Sequence, residues 1–139
     1  MVSEHLKTLY EKLVGKITDG ALTMDDIEDY LKLFVDICNQ NEDIKEEVEG
    51  WNRVLAFQID GDKFQIRVEN GEFSRETNSA VEPNILFSMD EETLLDIFSG
   101  EINATTAYMD EKLKVTGLLP DAVKFRALTE IVNSEFNLD

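Results

Sequence analysis

The chain is short of cysteine, histidine, proline and positive charge: one Cys, one His, two Pro, and 13 Lys plus Arg against 30 Asp plus Glu in 139 residues. Each shortage closes off a class of function. A lone Cys38 forms neither an internal disulfide nor a thiolate zinc cluster, and it fits a reducing compartment, so the cytoplasm is the expected address. A lone His5 near the N-terminus cannot be both general base and metal ligand, and no second imidazole exists to help it. No apolar run approaches the ~20 residues needed to cross a bilayer, and the first seven residues lack the charged-then-apolar profile of a signal peptide. The formal net charge of −17, with its cations scattered, repels nucleic-acid phosphates and anionic lipid surfaces. Neither nucleic-acid binding nor stable docking on an anionic membrane is expected. Without a glycine-rich phosphate loop, nucleotide cofactors have no docking point, and no cofactor is expected.

What the chain does have is 42% hydrophobic residues, enough for one core between two layers of secondary structure. No repeat, low-complexity tract or linker divides it, so residues 1–139 read as a single α+β domain: a helical part over 1–50, then a sheet with further helices over 51–139. Leu6, Leu9, Tyr10, Leu13, Val14 and Ile17 recur at three- and four-residue steps, predicting a first helix that ends near Asp19-Gly20. Thr23 caps a second helix carrying Ile27, Tyr30, Leu31, Phe34 and Cys38, and Asn41 caps a short third one with Ile44 and Val48. From Trp51 the period changes to two. Leu55, Phe57 and Ile59 mark one strand and Phe64, Ile66 and Val68 the next, with Asp60-Gly61 and Asn70-Gly71 as the hairpin turns of a three-strand antiparallel meander that ends around Phe73 to Thr77. A loop crosses to a fourth strand, Asn84 to Met89. Asp90 then caps a helix stopped by Gly100, Asn103 caps another, Lys112 to Thr116 is a fifth strand, and Pro120 opens a long terminal helix.

Between Ile85 and Gly117, short tightly connected elements carry Phe87, Met89, Leu94, Leu95, Phe98, Tyr108, Met109, Leu113 and Val115. Such a segment builds an apolar interior and supplies almost no chemistry, which points to an apolar ligand.

The same residues resemble the lipid-binding domain of sterol carrier protein type two. The resemblance runs through Asp90-Glu-Glu-Thr-Leu-Leu-Asp-Ile-Phe-Ser-Gly100, Glu101-Ile-Asn103, Thr106-Ala-Tyr-Met109 and Lys112-Leu-Lys-Val-Thr-Gly117, without insertion or deletion. Three positions depart from the family pattern: Ala104 stands where proline is preferred, Glu101 where lysine is, and Glu111 where glycine is. The loss of the lysine weighs against Glu101 holding an anionic headgroup. The resemblance implies a five-stranded sheet covered by helices and enclosing a hydrophobic tunnel for fatty acids, acyl-CoA, sterols or isoprenoid-like lipids; the helical N-terminal part, residues 1–50, is longer than the minimal domain requires and is expected to cover the mouth or make a homodimer contact. Each buried methylene is worth ~0.8 kcal/mol, so a sixteen-carbon tail offers on the order of 10 kcal/mol before association costs, and no polar anchor is needed.

The candidate tunnel residues are Phe57, Phe87, Met89, Leu94, Leu95, Phe98, Tyr108, Met109 and Leu113, followed by Leu118, Leu119, Val123, Phe125, Leu128 and Ile131 of the terminal helix. Any one of them can equally be ordinary core. As a set they are suggestive, because the terminal helix is apolar on more than one side and its Leu118-Leu119 start is hard to bury in a plain two-layer core. That helix is also the expected gate. Trp51 reads either as a cavity edge or as a helix-to-sheet plug. Asp19 to Asp26 imitates the back half of a calcium loop, but Gly15 and Ile17 occupy ligand positions and Asp26 replaces the closing glutamate, so no metal is expected. The acidic clusters Asp25-Asp26 and Asp90-Glu91-Glu92 read as helix-start charges. A non-enzymatic lipid binder is the expectation. The alternative is a structural, dimerising or enzyme-accessory module with a self-filled core, and a catalytic reading requires a carboxylate of raised pKa in the apolar pocket.

Overall fold

The computed structural model describes residues 2–136. A 3₁₀ turn at Glu4–Leu6 leads into α1 (Lys7–Thr18); another at Met24–Asp26 leads into α2 (Ile27–Gln40), and α3 (Glu42–Glu47) follows. The sheet comprises β1 (Arg53–Ile59), β2 (Asp62–Glu69), β3 (Glu72–Arg75), β4 (Ile85–Met89) and β5 (Lys114–Thr116). Between the last two strands lie α4 (Glu91–Phe98) and α5 (Ala104–Met109), and α6 (Leu119–Phe136) closes the fold.

The strand order is β3-β2-β1-β4-β5. β1, β2 and β3 form the expected antiparallel meander, while β4 returns beside β1 in parallel and pairs with β5 antiparallel, making the five-stranded sheet mixed. Asn84 sets that return: its side-chain carbonyl accepts from the Val54 amide at 2.7 Å and its own amide donates to the Val54 carbonyl at 2.9 Å. Register then places Phe64, Phe57, Phe87 and Val115 in one row across four strands. The three rings of that row stack at 5.0 and 5.3 Å, and Phe125 of α6 lies over Phe57 and Phe87 at 5.3 and 4.5 Å. A second aromatic cluster joins the helices, with Tyr30 against Phe98 at 4.2 Å and against Phe136 at 5.4 Å. The interior is therefore largely filled by its own rings.

Local details follow the caps read from sequence. The side chains of Asn41, Asp90 and Asn103 each accept from the amide three residues on, satisfying a first-turn donor of α3, α4 and α5. Asp26 and Thr23 form a capping box at the start of the turn into α2, and Lys16 donates to Asp26 at 2.8 Å, so this carboxylate serves a helix joint. Trp51 turns out to be the plug: its ring is buried, and its Nε1 donates at 2.7 Å to Asp121 in the first turn of α6. Cys38 is fully buried, and burial pushes its thiol well above the usual range. Among the described residues no helix is long and apolar enough to cross a membrane.

Candidate functional site

Helical spacing and sheet register converge on one apolar pocket. Ala104, Thr105 and Tyr108 lie on one face of α5, and Leu119, Ala122, Val123 and Arg126 on one face of α6, at the three- and four-residue steps that bring side chains into line. Between the helices, Phe87 of β4, Val115 of β5 and Leu113 just before β5 supply the floor. The pocket is open on one side, and its volume is about 200 Å³. At the ~30 Å³ of a water-sized group this takes about six or seven methylenes, less than a whole sixteen-carbon tail. Its position has a structural cause. The aromatic row that fills the interior ends at Val115, a smaller side chain on a three-residue edge strand, and two alanines, Ala104 and Ala122, face the gap from the helices.

The pocket's rim is greasy as well. Among the described residues, the exposed large hydrophobics are Tyr108, Met109, Leu118, Leu119 and Val123, and all five line the pocket or adjoin a residue that does. Leu118 and Val123 remain 65% and 63% accessible. A contiguous apolar edge around an apolar hollow is the arrangement expected where a guest completes the surface. Other hollows differ in kind. One of about 490 Å³ near β2 and β3, for example, is lined by Glu28, Asp62, Lys63, Arg75 and Glu76.

Of the sequence candidates, Phe87, Tyr108, Leu113, Leu119 and Val123 meet in the pocket, with Met109 and Leu118 beside it. Phe57 and Phe125 lie beneath the floor as part of the ring stack, and Leu94, Phe98 and Leu128 are buried in the core. Met89 is buried at the end of β4, while Leu95 and Ile131 are half-buried against the core. The list of candidate tunnel residues missed Ala104, Thr105, Val115, Ala122 and Arg126. Counting steps of three and four from Tyr108 and Val123 would have found most of them, but a search for bulky side chains passes over the small ones that make room.

The turn into this region explains two positions of the motif. Gly117 has φ +135°, and a Cβ there would sit 2.9 Å from the Asn84 carbonyl oxygen, so only glycine lets β5 close on β4. Glu111 has φ +63°, the left-handed conformation that favours glycine. Among the described residues no carboxylate lines the pocket.

Residues 34–130 match the family model described as the SCP-2 sterol transfer family. No curated protein sequence matches the chain. Among solved structures it resembles the sterol carrier protein domain 2 of Helicoverpa armigera, at TM-score 0.56 and 19% identity over 78% of this chain and 88% of that one. It also resembles sterol carrier protein 2 from Yarrowia lipolytica in its apo form, at TM-score 0.54 and 17% identity over 75% and 87%. A double mutant of the sec-alkyl sulfatase PisA1 matches at TM-score 0.62 and 17% identity over 78% of this chain, which spans 16% of the sulfatase. At these identities the structural likenesses establish the fold.

Proposed function

The chain belongs to the SCP-2 sterol transfer family, and from that premise we propose that it is a non-enzymatic binder, and carrier, of hydrophobic molecules such as fatty acids, acyl-CoA or sterol- and isoprenoid-like lipids. The observation that carries this reading is the coincidence of the apolar pocket with every exposed large hydrophobic side chain among the described residues. Binding is reversible partition. Enclosing about six methylenes at ~0.8 kcal/mol each gives roughly 5 kcal/mol gross, from which association costs are subtracted, so short chains bind weakly. A longer tail gains affinity by running over the Met109 and Leu118 edge or by moving α5 aside. The force is non-directional, and several apolar guests are accepted. A cytoplasmic address belongs to the same proposal and suits the single buried thiol.

The competing reading, an accessory or dimerising module, draws support from the ring-filled interior. It needs an exposed apolar patch on the N-terminal helices, and α1 and α2 expose no large hydrophobic side chain. Native mass spectrometry of freshly purified protein, with displacement of a fluorescent acyl probe, tests the proposal. Co-purifying lipid and a probe displaced by fatty acid are expected, with probe binding lost in Ala122→Trp, which fills the pocket. Clean apo protein that ignores the probe defeats it.

A further inference from the structure

We infer that the apolar rim around the pocket mouth, formed by Tyr108, Met109, Leu118, Leu119 and Val123, docks on an uncharged, zwitterionic lipid bilayer. This surface lies outside the pocket and shares with the lipid-binding reading only the mouth. The five side chains are the exposed large hydrophobics among the described residues, and they gather at the end of α5, the turn after β5 and the start of α6. Met109 and Leu118 are 74% and 65% accessible, and neither lines the pocket, so a guest that fits inside leaves both in water. A contiguous apolar patch of this kind marks a surface that another phase covers. Its composition is interfacial: leucine and methionine insert, a tyrosine ring suits the headgroup level, and the neighbouring Lys112 and Lys114 carry apolar stems with charged ends.

Charge identifies that phase. Four of the chain's 13 Lys and Arg, but one of its 30 Asp and Glu, lie in residues 112–126. That one acid, Asp121, is buried and bonded to Trp51 and Arg53, so no carboxylate from Lys112 to Arg126 faces solvent. Lys124 and Arg126 meet Glu47 and Glu130, whereas Lys112 and Lys114 are exposed and form no ion pair among the described residues. Exposed Asp110 and Glu111 offset these two lysines, leaving the rim near neutral in a molecule of net charge −17. A bilayer of net negative charge repels such a molecule, while a zwitterionic one offers phosphates to the two lysines without an opposing field. A basic protein is drawn to the acidic faces instead, and a second copy brings another −17. Docked this way, the mouth opens onto the bilayer, and a guest enters without crossing water.

The test is flotation of the full chain with phosphatidylcholine vesicles, alone or with phosphatidylserine added, at low and high salt, beside binding of a fluorescent acyl probe without vesicles. Wild type is expected to float with phosphatidylcholine, to float less well when phosphatidylserine is added, and to recover with salt. The double variant Met109→Ser/Leu118→Ser changes exposed positions, and circular dichroism checks its folding. It is expected to lower vesicle partition by about tenfold or more, since burying one such side chain is worth about that factor. Paramagnetic phosphatidylcholine in bicelles is expected to broaden the ¹H–¹⁵N signals of residues 108–119 and to spare α1 and α2. Flotation that phosphatidylserine strengthens, or that the double variant leaves unchanged, overturns the docking surface, as does broadening centred on α1 and α2. A dimer that the double variant dissociates, with no flotation, assigns the rim to a second copy and overturns it too. Wild type that binds the acyl probe but ignores vesicles overturns the docking surface and leaves the lipid-binding reading standing. Flotation without probe binding removes the pocket reading and leaves the docking surface in place.

Discussion

Removing the Asp121 carboxylate is expected to cost about 2–5 kcal/mol of folding stability, through three contributions that the structure separates. Trp51 Nε1 donates to Oδ1 at 2.7 Å with both side chains buried, so Asp121→Ala leaves an indole N–H without a partner, a loss of about 1–3 kcal/mol. Arg53 Nε donates to Oδ2 at 3.0 Å, but the arginine is 30% exposed, and solvent screening reduces that pair to roughly 0.5–1 kcal/mol. The carboxylate also sits in the first turn of α6, where the helix dipole adds about 0.3–1 kcal/mol. For a chain of this size the sum lowers the melting midpoint by roughly 8–15 °C. Urea denaturation of Asp121→Ala, Trp51→Phe and the double variant measures the pair. Trp51→Phe removes the orphaned donor, so the double variant is expected to be about 1–2 kcal/mol more stable than the sum of the single losses implies. Additive losses, or an Asp121→Ala cost below ~1 kcal/mol, would show that the Trp51–Asp121 contact does not fasten α6 to the sheet.

Two further substitutions probe strain and charge. Glu111 at φ +63° bears a left-handed penalty of roughly 1–2 kcal/mol, and Glu111→Gly, after the unfolded-state entropy of glycine is subtracted, is expected to stabilise by about 0.5–1 kcal/mol; an unchanged or lowered urea midpoint refutes this. At Asp26, burial pushes the carboxyl up, but hydrogen bonds from Lys16 and Thr23 outweigh it and hold it below the usual range. The unfolded chain therefore takes up this proton first as pH falls. Its contribution is present above the ordinary aspartate value near ~3.9 and is lost as pH drops to the lower folded value, so Asp26→Asn is expected to flatten the acid limb of the stability curve, and an equally steep limb counts against the assignment.

Local chemistry was the legible part of this fold. Asp60 and Asn70 announce their hairpins, and both adopt positive φ, at 51° and 52°. Asn41, Asp90 and Asn103 announce their caps. The parallel pairing of β4 with β1 was not legible, because strand alternation says which residues share a face and nothing about which neighbour a returning strand selects. The site was half legible for a related reason. Leu118 and Leu119 stood out as residues with no layer to enter, and the structure leaves both exposed at the rim. Bulk, however, marks filled space as readily as a cavity wall. Phe57, Phe125 and Leu128 look like ligand contacts in sequence and are packing in three dimensions, whereas the gap itself is made by Ala104 and Ala122.

The same distribution of bulk decides which helix yields to a larger guest. The terminal helix looked like the gate, but its inner side buries Phe125, Leu128, Val132 and Phe136, and each such side chain is worth about 1.5–3 kcal/mol when fully buried. Trp51 and Arg53 hold its first turn, and Lys124 donates to the Glu47 carbonyl at 2.7 Å. Swinging α6 outward would expose much of the core at once. α5 is six residues long and buries only Ala104 and Ala107, with Thr105, Thr106, Tyr108 and Met109 already facing water. Its displacement uncovers little apolar surface, and a tail longer than the pocket covers that surface again. On the lipid-binding reading proposed above, this energetic asymmetry makes α6 the wall that resists a larger guest and α5 the one expected to yield, with the pocket set along the seam between them.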